Sequence, residues 1–189
     1  MHSRRERLRA VTRPLHAQVE AMIERSGMFD DREGYGRFLA AMHRFHCCAE
    51  TARHAAADAG LAPGWRPPPS ARLLREDLDA LGAPPAPDQP LPTLHDRGAV
   101  LGLRYVVQGS ALGATQLLPR ALALGASGTH GAAFLSHHAT CTKAWLEFCA
   151  SLEATDLADR ELQGMDDAAC QGFELVRQSL RSRCRATEK

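Results

Sequence analysis

Apolar residues recur every three or four positions through almost the whole chain, and this pattern restricts the fold more than any other feature. Such spacing fills one stripe of an α-helix. Leu8, Val11, Leu15, Val19 and Met22 make one stripe; Phe38, Leu39, Met42 and Phe45 make another. Ala and Leu abound, β-branched runs are absent and aromatics are only 5%. These are helix-forming preferences, so the chain is predicted to be all-α.

The stripes predict helices over about residues 3–25, 32–59, 70–81, 94–124, 132–152 and 166–183. Pro14 marks a true first turn or a kink in the first. Gly60 ends the second. The fourth is expected to be interrupted near Gly109 and again at Pro119. Nine of the eleven prolines lie between 63 and 92, where they bracket the short helix 70–81 with extended loops. Neither flank closes a core alone, so residues 1–189 are read as one domain.

Lys and Arg number 23 against 22 Asp and Glu, a net charge of +1. That balance argues against bulk nucleic-acid binding, which wants a basic excess. No run approaches the roughly 20 apolar residues of a membrane span. The opening "MHSRRERLRA" lacks the apolar centre of a secretory signal. The expected location is cytoplasmic, with no membrane association. The six cysteines form no C-x-x-C pair and read as buried thiols in a reducing compartment.

Gly98, Gly102, Gly109 and Gly113 share one face of the fourth helix, within roughly 60° of each other. A glycine inside a helix costs about 1 kcal/mol against alanine. Two explanations offset that cost equally well. A smooth face lets another helix approach closely, or a bare backbone touches a flat ligand and bends over it. Ser110, between two of these glycines, can bond its own backbone or hold a water beside a ligand.

His16 lies at the edge of the first helix's apolar stripe. Arg9 is about 20° away on the wheel, with Arg13 and Glu20 on the same flank. Imidazole can bind a metal, and arginines meet carboxylates. A lone helical histidine more often packs or faces solvent, so this cluster does not decide by itself.

His43, Cys47, Glu50 and His54 also share a helix face. A column spanning about 16 Å cannot surround one ion, and a buried polar face or an oligomer contact is the simpler reading. No E-x-x-H pair, phosphate loop, dinucleotide fingerprint or G-x-S-x-G is present. His95, His130, His137 and His138 read as solvated.

Taken together, "LRAVTRPLHAQVE" (8–20), "YGRFLAAMHRF" (35–45), "LRYVVQGSALGA" (103–114), the spacing of Trp145, Phe148 and Leu152, and "GFELVRQSL" near the end resemble the bacterial branch of the heme oxygenase family. The resemblance runs in order over nearly the whole chain. It implies a helical domain with heme held between the first helix and a kinked glycine helix. It implies that His16 is the axial ligand of the heme iron, that Gly109 and Gly113 let the backbone approach dioxygen, and that water near Ser110 supplies a proton. Arg9, Arg13, Glu20, Arg104 and Tyr105 join the cofactor-binding residues, Arg9 and Arg13 as propionate partners. Ser110 stands where animal members carry a carboxylate, and Ala114 replaces a further glycine. The C-terminal propionate partner is not evident, Lys143 and Arg177 being candidates.

The implied products are biliverdin, ferrous iron and carbon monoxide. Heme is both cofactor and substrate. Electrons come from an external reductase, a ferredoxin or a flavin enzyme, and a phytochrome is a possible recipient of biliverdin. The rivals are a non-catalytic heme carrier or sensor on the same scaffold, and an interaction module whose glycine face packs a helix.

Overall fold

A computed structural model describes residues 3–87 and 93–184. They form seven helices and no strand: α1 (Arg4–Arg25), α2 (Arg32–Asp58), α3 (Ser70–Leu81), α4 (Arg97–Ala123), α5 (Ala133–Ala139), α6 (Thr142–Ala154) and α7 (Asp159–Cys184). The all-α expectation holds. The proline-rich flanks of α3 are non-helical as far as they are described; residues 88–92 of that expectation lie outside the described residues.

Local chemistry sets where the helices begin. Ser3 and Glu6 form a reciprocal capping box at α1, each side chain accepting the other's backbone N–H at 3.1 Å. Asp31 and Asp96 cap α2 and α4, accepting the N–H of Gly34 at 2.7 Å and of Ala99 at 2.8 Å. Gly82 ends α3 in a left-handed turn, φ 65°.

α1 is then fastened to its neighbours. The Glu153 carboxylate, at the end of α6, accepts the backbone N–H groups of Arg4 and Arg5 at 2.9 Å each. Free donors and the helix dipole both favour an anion at that end. Arg7 pairs with Asp166 of α7 at 2.8 Å. Pro14 is not a first turn: it lies ten residues into a continuous helix.

α7 is the element on which the others converge, packing against α1, α2 and α4. The α4–α7 contact is backbone on backbone. A Cβ on Gly98 would collide with the carbonyl oxygen of Glu161, and one on Gly102 with that of Met165. Two of the four face-sharing glycines therefore serve close helix packing.

Three boundaries differ from expectation. α4 runs unbroken through Gly109 and Pro119. Residues 132–152 form two helices, parted at Thr140–Cys141. There the Thr140 hydroxyl and Cys141 thiol both donate to the His137 carbonyl, at 2.7 and 3.4 Å, competing with the helical ladder. α7 starts at Asp159 because Glu161 folds back to accept the Ala158 N–H at 3.1 Å, and because Gly164 gives Asp96 room. Of the cysteines, Cys48 and Cys149 are buried; Cys47, Cys141 and Cys170 are partly exposed, and none of these five forms a disulfide among the described residues.

α5 has no cap of its own. The buried Asp77 of α3 supplies one, accepting the N–H of Ala133 at 2.8 Å and of Phe134 at 2.9 Å. Burial pushes this carboxyl upward, and the two donors work against that. Asp77→Ala should orphan both amides and cost about 2–4 kcal/mol. A calorimetric Tm lowered by roughly 5–15 °C is the expected result.

Candidate functional site

Two ties join α1 to α4. Thr12 on α1 counters the upward push of burial on the Tyr105 hydroxyl of α4, and Arg120 donates to Glu24 at 2.6 Å. The helices do not pack broadly on each other between these points; both lie on α7. The ties lie 12 residues apart along α1, about 18 Å of helix. On α1 the face that carries them includes His16 and Glu20, one and two turns beyond Thr12. On α4 it includes Gly109 and Gly113, one and two turns beyond Tyr105. Helical spacing puts both sets between the two ties, and the space between them is the candidate cleft.

Glycine at 109 and 113 has a different origin from glycine at 98 and 102. A Cβ on Gly109 would meet only the edge of the Trp145 indole, at an ordinary 3.6 Å, and one on Gly113 would find nothing within 4 Å. No protein contact offsets their helix cost of roughly 2 kcal/mol. The sequence left packing and ligand equally open; the structure sets Gly98 and Gly102 against the α7 backbone and leaves Gly109 and Gly113 without such a contact.

Across the cleft, the His16 side chain is 54% exposed and its Nδ1 lies 3.4 Å from Glu20 Oε2. That pairing favours hydrogen on Nδ1 and leaves Nε2 as a lone-pair donor. Phe173 of α7 holds the ring edge-on, centroids 5.4 Å apart. Half-exposure fits neither a satisfied core histidine nor a freely solvated one.

One end of the cleft is cationic. Burial pushes the Tyr105 hydroxyl upward, while Thr12 and the positive charges of Arg5 and Arg9 pull it back. Arg9 and Arg13 are exposed, with no ion pair shown among the described residues. Arg104 lies 4.7 Å over the Phe148 ring and donates to Gln108 at 2.8 Å. Burial lowers this guanidinium, and no carboxylate opposes the shift. Arg177 is committed to Glu174 at 2.7 Å, and Lys143 is 89% exposed beside Glu147, so neither is a free cation at this cleft.

Ser110 turns to the flank of the glycine face. Its hydroxyl lies 2.7 Å from the Val107 carbonyl and 3.0 Å from His138 Nδ1. His138 is 1% exposed, which corrects the expectation that it is solvated. It sits one turn after Phe134 on the buried side of α5, a spacing that could have revealed it. His46, also 1% exposed, was missed although it continues the heptad of Tyr35, Leu39 and Met42. Thr12, Arg5, Trp145 and Phe173 were likewise not singled out as parts of a site. The His43–Glu50 column holds no metal-binding group among the described residues; the Glu50 carboxylate accepts the Ala71 N–H at 2.9 Å.

The model of the heme oxygenase family matches residues 3–182. Heme oxygenase PigA of Pseudomonas aeruginosa is 30% identical over 161 residues, 84% of this chain and 81% of that protein. The heme oxygenase of Neisseria meningitidis, solved in NO- and CO-bound forms, superposes with a TM-score of 0.84 at 26% identity, over 100% of this chain and 96% of that one.

Two predictions follow from the site. Gly113→Ala should raise the stability of the ligand-free protein by about 0.5–1 kcal/mol, and Gly102→Ala should lower it, both read from urea midpoints. The second concerns the buried histidines. Burial holds His46 well below its ordinary range, and burial with His137 pushes His138 down to about 4. Both are neutral when folded but titrate near 6.5 when unfolded. Stability should therefore fall as pH drops below about 6.5, by up to about 1.4 kcal/mol per pH unit for each. Denaturant midpoints between pH 6.5 and 5 check this, and His138→Gln should reduce the slope.

Proposed function

The chain belongs to the heme oxygenase family, and on that premise we propose that it is the oxygen-dependent enzyme that opens heme to biliverdin, ferrous iron and carbon monoxide in the cleft between α1 and α4. The observation that carries this reading is the bare Gly113 backbone, which looks into open space opposite a half-exposed imidazole. The residues present fit a flat, dianionic iron porphyrin: a lone-pair nitrogen on one wall, Cβ-free backbone on the other, and cations at one end.

Heme supplies the iron at which dioxygen is reduced, and is itself the substrate that is cut. His16 Nε2 would hold the heme iron, with Glu20 fixing the tautomer that leaves this nitrogen free to bind. Arg9, Arg5 and the Tyr105 hydroxyl receive the propionates, and Arg13 lies one turn further along α1. Gly109 and Gly113 keep the opposite wall thin enough for a small ligand between backbone and ring. Trp145 seals the floor below Gly109 against water. Arg104, desolvated and without an acid, adds positive potential beside Tyr105. Electrons come from an external donor of the ferredoxin or flavin-reductase type.

The experiment is hemin titration followed by ascorbate in air, watched from the Soret band to the red. A histidine-ligated spectrum that decays to biliverdin is expected. A stable spectrum would instead identify a carrier. His16→Ala should abolish histidine ligation and most turnover; an unchanged spectrum would remove His16 from the role.

A further inference from the structure

The Ser110–His138 contact is one half of a longer chain. His138 Nε2 lies 2.9 Å from the Ser70 hydroxyl, at the start of α3 and on the far side of the imidazole from the cleft. The ring thus bridges two hydroxyls, and each has a backbone carbonyl in reserve. Ser110 Oγ is 2.7 Å from Val107 O, and Ser70 Oγ is 3.3 Å from Pro68 O.

Two arrangements of the same atoms keep every hydrogen bonded. In the first, Ser70 donates to Nε2, Nδ1–H donates to Ser110, and Ser110 donates to Val107 O. In the second, Ser110 donates to Nδ1, Nε2–H donates to Ser70, and Ser70 donates to Pro68 O. An imidazole held this way exchanges tautomers without losing a hydrogen bond.

Beyond Ser70 lies a small cavity. Ser70, His46, Glu50, Arg53, Trp65 and Val107 line it, and at about 10 Å³ it admits roughly one water. Trp65 is 4% exposed, and its Nε1–H has no partner; Arg53 Nε, on the same cavity, is also unpartnered. Both are donors in want of an acceptor, and a water there would accept from the indole and donate to Ser70.

We propose that Ser70, His138 and Ser110 form a proton wire that feeds the Ser110 side of the cleft from this second, water-sized cavity rather than through the cleft mouth. The proposal rests on the heme-cleaving reading of the cleft. In one passage the cavity water gives a proton to Ser70 Oγ and the Ser70 proton moves to Nε2. The Nδ1 proton moves to Ser110 Oγ, and the Ser110 proton, turned away from the Val107 carbonyl, leaves into the cleft. The hydroxide left in the cavity is neutralised from solvent. Rotation of the two hydroxyls and return of the tautomer reset the wire. No member becomes charged in the resting state, consistent with the low basicity that burial imposes on His138. The device also lets the cleft exclude bulk water while still drawing protons.

Ser70 is the member to test because it lies away from the cleft. In hemin-loaded protein, Ser70→Ala should leave hemin affinity within about twofold and slow biliverdin formation by about tenfold to a hundredfold, with a changed solvent isotope effect. Ser70→Thr, which keeps the hydroxyl, should restore the rate. Independently of heme, 15N-histidine NMR of the hemin-free protein should show the His138 proton shared between both ring nitrogens, and fixed on one in Ser70→Ala. Wild-type turnover in Ser70→Ala, no rescue by Ser70→Thr, or a His138 tautomer indifferent to Ser70→Ala would each overturn the wire. Failure of the wild type to cleave heme would sink the enzymatic reading instead, with the NMR arm still deciding whether the wire exists.

Discussion

The close crossing of α4 on α7 is the constraint on which the rest depends. Gly98 and Gly102 bring two helical backbones together at the carbonyls of Glu161 and Met165. Any side chain there would push α4 outward by the width of a methyl group, and interiors packed at crystal density do not absorb that. The crossing fixes the first half of α4, so the second half, with Gly109 and Gly113, projects at a set height opposite α1. α1 is held to the same α7 by Arg7 and Asp166 and to α6 by Glu153. Both cleft walls are thus referred to one helix that takes little direct part in the chemistry, apart from Phe173 behind His16.

How legible this was in the sequence varied with the range of the interaction. Helices governed by caps and stripes were readable: α3 spans 70–81 as predicted. Misplaced boundaries were those decided by side chains folding back on their own backbone. Thr140 and Cys141 break a run that periodicity alone would continue, and Glu161 starts α7 about two turns early. The distinction among the four glycines was unreadable in principle. They are equivalent on a helical wheel, and only the position of α7 along α4 tells which two are covered.

The site shows the same division. His16, Glu20 and the arginines share one helix, so their relation was visible as spacing. The resemblance to a known family joined them to the glycine stretch. Ser110–His138–Ser70 links α4, α5 and α3, and nothing local marks it. His138 looked solvated because it neighbours His137 near a turn, yet burial on α5 is set by Phe134 and Leu135. Three-body polar contacts of this kind are where a sequence says least.

Pro14 has a consequence for how the cleft meets its occupant. It deletes one rung of the α1 ladder two residues before His16. The half-helix ahead of it is bolted down by a carboxylate and an ion pair; the half behind rests on apolar packing and the exposed Glu24–Arg120 tie. The imidazole accordingly rides on the softer segment. The missing rung thus falls between the half of α1 that is anchored by charge and the half that carries His16 and Glu20.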